Sequence, residues 1–259
     1  MRGWSVVRFA AWAVCLAAAA VAPARADRAV DPEWLPLRPR AEWTYDTHRD
    51  QTYDRAKAAI RRTLHKGRTR MVVESAADRV PGGFRVREQT VLQPIEGRGV
   101  RESIAGWTLY SFEDALRVHA SSEILADQSL GEVVYEPPLR LLATTTVGES
   151  WDAGVFRNGA QRAKVRGEVL GIEDLEGTPS FDGCLKVRLA GPISGVVSQT
   201  EQQGEIESGE YERLLWFARG VGIVRDVTTL EVEMRMPEER RVRLLEVLSM
   251  RLVEHRGAR

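Results

Sequence analysis

The sequence of 259 residues has little cysteine and no excess of charge of either sign. It holds two cysteines, and its 37 Lys and Arg residues are balanced by 37 Asp and Glu residues. A balanced charge excludes a strongly basic surface, which is what attracts nucleic acids and anionic membranes. We therefore expect no nucleic-acid partner. Hydrophobic residues make up 43% of the chain, more than a disordered polymer carries. The chain is therefore long and apolar enough to bury a core.

The motifs of cofactor, metal and nucleophile sites are also absent. The four histidines, His48, His65, His119 and His255, do not have the spacing of a zinc motif, and no C-x-x-C occurs. The sequence contains no G-x-S-x-G, G-x-G-x-x-G or G-x-x-x-x-G-K. His48 lies between Asp46 and Asp50, a pattern more typical of a solvated segment than of an oriented base. We therefore expect no catalytic residue, no cofactor and no metal ion.

The N-terminus has the three parts of a secretory signal peptide. Arg2 and Arg8 give a positive start, Phe9–Ala22 is uncharged and apolar, and Ala24–Ala26 is a small-x-small cleavage site. The apolar run is shorter than the ~20 residues that a membrane-spanning helix needs. The sequence thus predicts a signal peptide over residues 1–26, a single domain over 27–259, no transmembrane segment, and export to a bacterial periplasm or the medium.

One cysteine remains after cleavage, because Cys15 lies in the signal peptide. Cys184 therefore has no partner for an intramolecular disulfide. Regular alternation would place it beside Lys186 and Arg188, whose charges would favour a nucleophilic thiolate. Gly183 precedes it, however, and a glycine within a strand often marks a bulge that reverses the faces. We favour a buried structural cysteine and keep the nucleophile as the alternative.

The clearest strand signal lies near the C-terminus. Leu230, Val232, Met234 and Met236 alternate with polar residues, and the alternation resumes from Val242 after a break at Pro237–Glu239. This pattern predicts a hairpin with one apolar face and one charged face. Glu246 falls on the apolar side, which predicts either a bulge or a short helix in the second strand.

A second hairpin and one helix follow from similar patterns. Pro81–Gly83 separates a strand at Met71–Val73 from one at Phe84–Leu92. The apolar spacing of Ala56, Ala59, Ile60 and Leu64 predicts a short helix over residues 56–64, the Pro-Pro bend being the other place for a helix. The predicted fold is mainly β: a single large curved antiparallel sheet, as a half-barrel or open barrel, with one short helix at most.

Several aromatic, proline and glycine motifs resemble those of a bacterial secreted β-rich family of unknown function. They are Trp34–Leu37, Trp43–Tyr45, Tyr135–Leu139, Val147–Trp151, Phe181–Val187 and Trp216–Arg225. Arg40 stands where that family often has glycine. The resemblance covers most of residues 33–230 and implies a curved sheet similar to the half-barrels that carry lipids or lipoproteins through the periplasm. The Trp216–Arg225 motif also predicts, by itself, a tight turn at Gly220 and Gly222.

Three functions remain open. The first is a non-catalytic envelope protein that binds an apolar ligand, a lipid or a lipidated partner on a concave face lined by Leu230, Val232, Met234 and Met236. The second is an envelope scaffold or interaction protein whose sheet is filled by its own side chains. The third and least favoured is a hydrolase, because no base, nucleophile and orienting group can be assembled from the sequence.

Overall fold

The computed structural model describes residues 30–55, 60–95, 101–125, 128–158, 160–199, 202–237 and 241–257. The predicted signal peptide lies outside these residues. A 3-10 turn, η1, covers Pro32–Trp34. The strands that follow are β1 Glu42–Arg55, β2 Arg61–Ser75, β3 Phe84–Pro94, β4 Glu102–Phe112, β5 Leu116–Leu125, β6 Gln128–Leu142, β7 Ser150–Asn158, β8 Gln161–Leu175, β9 Phe181–Ser194, β10 Val196–Gln199, β11 Gln202–Ala218, β12 Gly222–Arg235 and β13 Arg241–Arg256.

All of the strands belong to one antiparallel sheet, as the alternation predicted. Its order is β6-β5-β4-β3-β2-β1-β13-β12-β11-β9-β8-β7, and the short β10 pairs with β11. The sheet curls until its two end strands, β6 and β7, lie side by side, so the fold is a nearly closed barrel. Both predicted hairpins are confirmed, because β2 pairs with β3 and β12 pairs with β13.

Two local predictions were wrong. The predicted helix fails where the structure describes it, because Arg61–Leu64 begin β2; residues 56–59 lie outside the described part. The second is the bulge or short helix predicted at Glu246. Neither is present, because β13 keeps its register with β12 from Arg241 to Arg251. Glu246 faces inward on an unbroken strand because Gln51 on β1 donates a hydrogen bond of 2.9 Å to its carboxylate. A polar partner on the next strand thus removes the need for a bulge.

The segment before β1 closes one end of the barrel, which we call the capped end. Leu35 and Leu37 are buried, and the Gly220 amide donates to the carbonyl of Glu33. The turn predicted between β11 and β12 is present at residues 219–221. Gly222 has φ 106°, and a Cβ at this position would lie 2.9 Å from Leu35 Cδ1. The glycine therefore lets the cap approach the barrel closely.

Candidate functional site

Of the four residues predicted to line a ligand face, Leu230, Val232 and Met234 lie in the C-terminal part of β12, and Met236 follows directly after its end. Val232 and Met234 are 0% and 2% exposed and belong to the main core. Leu230 and Met236 are partly buried and pack against that core. A Cβ added to Gly209 on β11 would lie 2.6 Å from Val232 Cγ1, so Val232 packs directly on the neighbouring backbone. The middle of the predicted face is therefore filled by the protein's own side chains.

A charged pair lies inside the barrel near the capped end. Arg213 on β11 donates to the carboxylate of Asp226 on β12, with Nη2–Oδ2 at 2.6 Å and Nε–Oδ1 at 3.1 Å. The side chain of Asp226 is 4% exposed. Burial lowers the pKa of Arg213, but the charge of Asp226, followed by Tyr211 and the hydrogen bond to Asp226, outweighs that effect and raises the pKa. The pair is thus compensated internally and has little free capacity for a ligand.

Four tyrosines lie around this ion pair. Burial raises the pKa of Tyr110 and of Tyr211 to about 12, against the opposing effect of the Arg213 charge. Burial also raises the pKa of Tyr45, whose hydroxyl donates to the carbonyl of Ile223 at 2.8 Å. The hydroxyl of Tyr135 donates to the carbonyl of Arg157 at 3.2 Å. The four phenols therefore stay protonated at neutral pH, and those of Tyr45 and Tyr135 donate hydrogen bonds that hold strands together.

The inner face of β1 to β4 carries polar side chains among buried apolar ones such as Trp43 and Val73. The hydroxyls of Thr47, Thr69 and Thr90 form a chain across three strands with oxygen–oxygen distances of 2.7 and 2.8 Å. Nearby, Arg49 forms a 2.5 Å ion pair with Glu102. His65 Nε2 lies 3.5 Å from the same carboxylate. Cross-strand hydroxyl and charge pairs of this kind stabilise a sheet, but they make a poor surface for an acyl chain.

The four histidines remain separate in the structure. His48 is exposed on β1, and the ring of His255 stacks on Trp43 with centroids 5.5 Å apart. His119 Nε2 lies 2.7 Å from Ser111 Oγ, which is a contact between a nucleophile and a base that the sequence did not reveal. Ser111 is only 1% exposed, however, so a substrate has no access to its hydroxyl. We interpret this contact as structural.

Cys184 lies in the core, as predicted. Its side chain is buried, and its thiol points to the carbonyl of Phe181 at 3.6 Å. Burial, followed by the charges of Asp174 and Glu173, raises the pKa of the thiol to about 11. Gly183 has φ 62° at a register shift between β8 and β9, so a bulge directly precedes Cys184. The thiol is therefore protonated and poorly nucleophilic at neutral pH.

A tryptophan on the outer face is surrounded by charged side chains. The indole N–H of Trp216 donates to Glu173, while Lys186 and Arg225 lie 5.0 and 4.7 Å from the ring centroid. The hydrogen bond from Trp216, followed by that from Lys186, lowers the pKa of Glu173 against the opposing effect of burial. This cluster covers the outer side of β9, β11 and β12 and is fully partnered within itself.

A cavity of about 210 Å³ lies where the two end strands of the sheet meet. It is lined by Glu136 and Pro137 of β6, by Asp152, Gly154, Val155 and Arg157 of β7, and by Lys164 of β8. β6 departs from its pairing with β5 here: Val134 pairs with Ala120 and Leu139 with Val118, so the residues between them form a wide bulge. The Pro-Pro bend is therefore a bulge that opens this cavity, not a helix.

Sequence patterns had not indicated the cavity, because no single strand carries it. Pro137 and Pro138 were a usable signal, since prolines within a sheet occur at edges or bulges. Within the described ranges, no group of three or more His, Cys, Asp or Glu side chains is placed to hold a metal ion. Those ranges also contain no helix long and apolar enough to cross a membrane.

Comparison with known proteins gives distant structural matches alone. No protein-family model and no curated protein sequence matches the chain. A solved structure of a putative lipoprotein from Parabacteroides distasonis ATCC 8503 is 15% identical, with 86% of this chain and 98% of that chain covered and a TM-score of 0.33. A beta-barrel-like protein of the domain of unknown function DUF1849 from Brucella abortus is 12% identical, with coverages of 85% and 98% and a TM-score of 0.26. The family resemblance drawn from the sequence motifs stays a prediction.

Proposed function

We propose that this protein is a non-catalytic scaffold or interaction protein of the bacterial cell envelope, with a barrel interior that its own side chains fill. The observation that carries the proposal is the packing of β12: Val232 and Met234, at the centre of the apolar face, are 0% and 2% exposed. A face that is already packed at the density of a protein core has no volume for an acyl chain.

The charged groups of the interior support a non-catalytic role. Arg213 is paired with Asp226, and Arg49 is paired with Glu102. General acid–base or nucleophilic catalysis needs a group with a suitable pKa that a substrate can reach. The Ser111 hydroxyl and the Cys184 thiol are both buried. These side chains stabilise the barrel instead of facing a substrate.

The envelope location is supported by the sequence. Residues 1–26 have the charged, apolar and small-residue parts of a signal peptide. The predicted mature chain has one cysteine, so its stability in an oxidising compartment rests on the core rather than on disulfides.

A second candidate, a carrier of an apolar ligand or lipidated partner, keeps one observation in its favour. Leu230 on β12 and Met236 just after its end flank the packed residues but are only partly buried. Methionine side chains adapt to irregular apolar surfaces, so an apolar ligand could pack against the partly buried side chains at this edge of the core. Such a ligand would contact Leu230 and Met236 directly and would meet Val232 and Met234 only if the barrel opened.

A titration with a fluorescent fatty acid separates the two candidates. The filled barrel predicts no saturable binding to the purified mature protein. Saturable binding that is lost in Met236→Asp but kept in Ile172→Asp would establish the carrier and overturn the filled scaffold. Ile172 is a suitable control because it is 61% exposed and lies on β8.

A further inference from the structure

The two end strands of the sheet face each other without forming a ladder. In the described residues, no backbone hydrogen bond joins β6 to β7, and we call this gap the seam. Two side chains bridge it. The Tyr135 hydroxyl on β6 donates to the carbonyl of Arg157 on β7, at 3.2 Å. The Trp151 indole on β7 donates to the carbonyl of Arg140 on β6, at 2.8 Å. The seam is therefore held at a fixed width by side chains rather than by main-chain pairing.

The backbone of β7 presents hydrogen-bonding groups to the seam that no neighbouring strand pairs. The carbonyl of Arg157 points there, since Tyr135 reaches it. In a strand, the N–H and C=O of one residue point to the same side, and residues two apart repeat that direction. The N–H of Arg157 and both main-chain groups of Val155 therefore also face the seam. An edge of this kind is a template for another strand.

The opposite wall cannot supply that strand. Pro137 and Pro138 have no N–H, and the bulge at residues 135–138 takes β6 out of regular pairing even with β5. The cavity of about 210 Å³ lies between this bulge and the edge of β7. β6 stands across the gap, so a single extended peptide fits the geometry better than the sheet edge of a second copy of the chain.

The charges around the cavity are of both signs and are free. Glu136, Arg157 and Lys164 have no ion-pair partner among the residues that the structure describes, whereas Asp152 accepts only from the amide of Gly154. Elsewhere on the outer face, cross-strand pairs such as Arg70–Glu42 and Arg243–Glu231 are common. Val155 adds an apolar surface that is 38% exposed. The lining thus offers complementary contacts to acidic, basic and apolar side chains.

We propose that the seam binds a short extended peptide segment of a partner protein, which pairs with the free edge of β7. An acidic side chain of the peptide meets Arg157 and Lys164, and a basic one meets Glu136 and Asp152. Main-chain hydrogen bonds supply the affinity, and the charges set the register. This inference rests on the proposed function, because it gives a scaffold the surface with which it holds a partner.

The test uses heptapeptides selected from a random phage-displayed library against the purified mature protein. Selected peptides should carry an acidic residue and bind Lys164→Glu at least tenfold more weakly than the wild type. Changing that acidic residue to lysine should restore binding to Lys164→Glu. Lys66→Glu is the matched control, since Lys66 is an exposed strand lysine far from the seam, and it should bind as the wild type does.

Methylation of the peptide backbone tests strand addition itself. Methylating the backbone nitrogens of every second peptide residue should abolish binding when those amides face β7. Methylating the other set of alternate residues should leave binding intact, because those amides point away from the edge. Bound peptide should also slow amide exchange at Val155 and Arg157. Three outcomes would each overturn the inference. They are failure to select any peptide, equal binding to Lys164→Glu and Lys66→Glu, and dimerisation of the chain through the seam. None of these outcomes affects the fatty-acid titration, so the proposed function can fail or stand independently.

Discussion

The barrel has two places where distant parts of the chain meet, and they are built differently. At the junction of β1 and β13, all 14 residues of β1 have a partner on β13, with one register shift between Thr44 and Tyr45. At the seam, β6 and β7 follow each other in the chain and yet share no ladder. The strands farthest apart in sequence are thus fully paired, whereas consecutive strands are not.

The difference has a local cause in the seam strands. β6 carries two adjacent prolines, and β7 has a register shift between Asp152 and Gly154, where Gly154 has φ 105°. β1 and β13 contain neither proline nor a residue with positive φ. Closure of the barrel is therefore set by whether an edge can offer regular N–H groups, and not by the order of strands along the chain.

The largest effect is expected from a carboxylate placed in the paired part of the barrel, compared with the same change at the seam. Val232→Asp puts an unpaired charge into the packed core. It should lower the free energy of unfolding by ~4 kcal/mol or prevent folding. Val155→Asp at the seam should change it by less than about 0.5 kcal/mol. Urea denaturation followed by circular dichroism measures both. A folded, stable Val232→Asp protein would show that the inner face is open instead of packed.

A comparable effect is expected from the ion pair between β11 and β12. Arg213→Met leaves the Asp226 carboxylate buried without its partner and should cost about 3–5 kcal/mol. The double variant Arg213→Met with Asp226→Leu should recover most of that loss, because neither charge then remains. Thermal denaturation of the three proteins checks this. A single variant that unfolds like the wild type would mean that solvent reaches the pair and that this half of the barrel is not tightly packed.

Cys184 probes the packing of β9 with a smaller expected effect. Because burial raises the pKa of its thiol to about 11, reaction with a maleimide at pH 7 should be slow in the native protein and fast in urea. Cys184→Ala should lower the stability by about 1 kcal/mol. Rapid labelling of the native protein would instead support the nucleophile that the sequence left as an alternative.

The smallest effect concerns the outer face at Glu173. Its pKa is lowered in the folded state, so its contribution to stability is present above its ordinary value of 4.5 and is lost as the pH falls through the lowered value. Glu173→Gln should therefore cost up to ~1 kcal/mol at pH 7 and nearly nothing at an acidic pH below the lowered pKa, after allowance for the exposure of this carboxylate. Glu168→Gln on the same strand is the control. A cost that is the same at both pH values would exclude the charge as its cause.

The sequence predicted those parts of the fold that depend on neighbouring residues. The alternation at Leu230–Met236 and the Pro81–Gly83 turn are local signals, and both hairpins are present. The predicted helix was wrong over Arg61–Leu64, where β2 begins. The alternation fades before it, because Tyr53 is the one aromatic or apolar residue of β1 beyond Tyr45, so the spacing of a few apolar residues was the remaining signal. Strand pairing decides such a segment, and pairing is not local.

The candidate site was less predictable than the fold. Arg40 illustrates what motifs can and cannot reveal: it has φ 72°, a conformation that favours glycine, so the turn is present without a glycine. The polar interior depends on pairs such as Gln51–Glu246, whose members are 195 residues apart. The seam depends on which two strands become the ends of the sheet, and that follows from the order of all the others.

Amide hydrogen exchange, resolved by residue, tests the contrast between junction and seam most directly. In the unliganded protein, the amides of β1 that pair with β13, such as those between Thr47 and Gln51, should be protected close to the limit of global unfolding. The amides of Val155 and Arg157 should exchange orders of magnitude faster, because they face the seam without a backbone acceptor. Equal protection at both places would show that β6 and β7 form a ladder and that the barrel is closed, which would contradict the account.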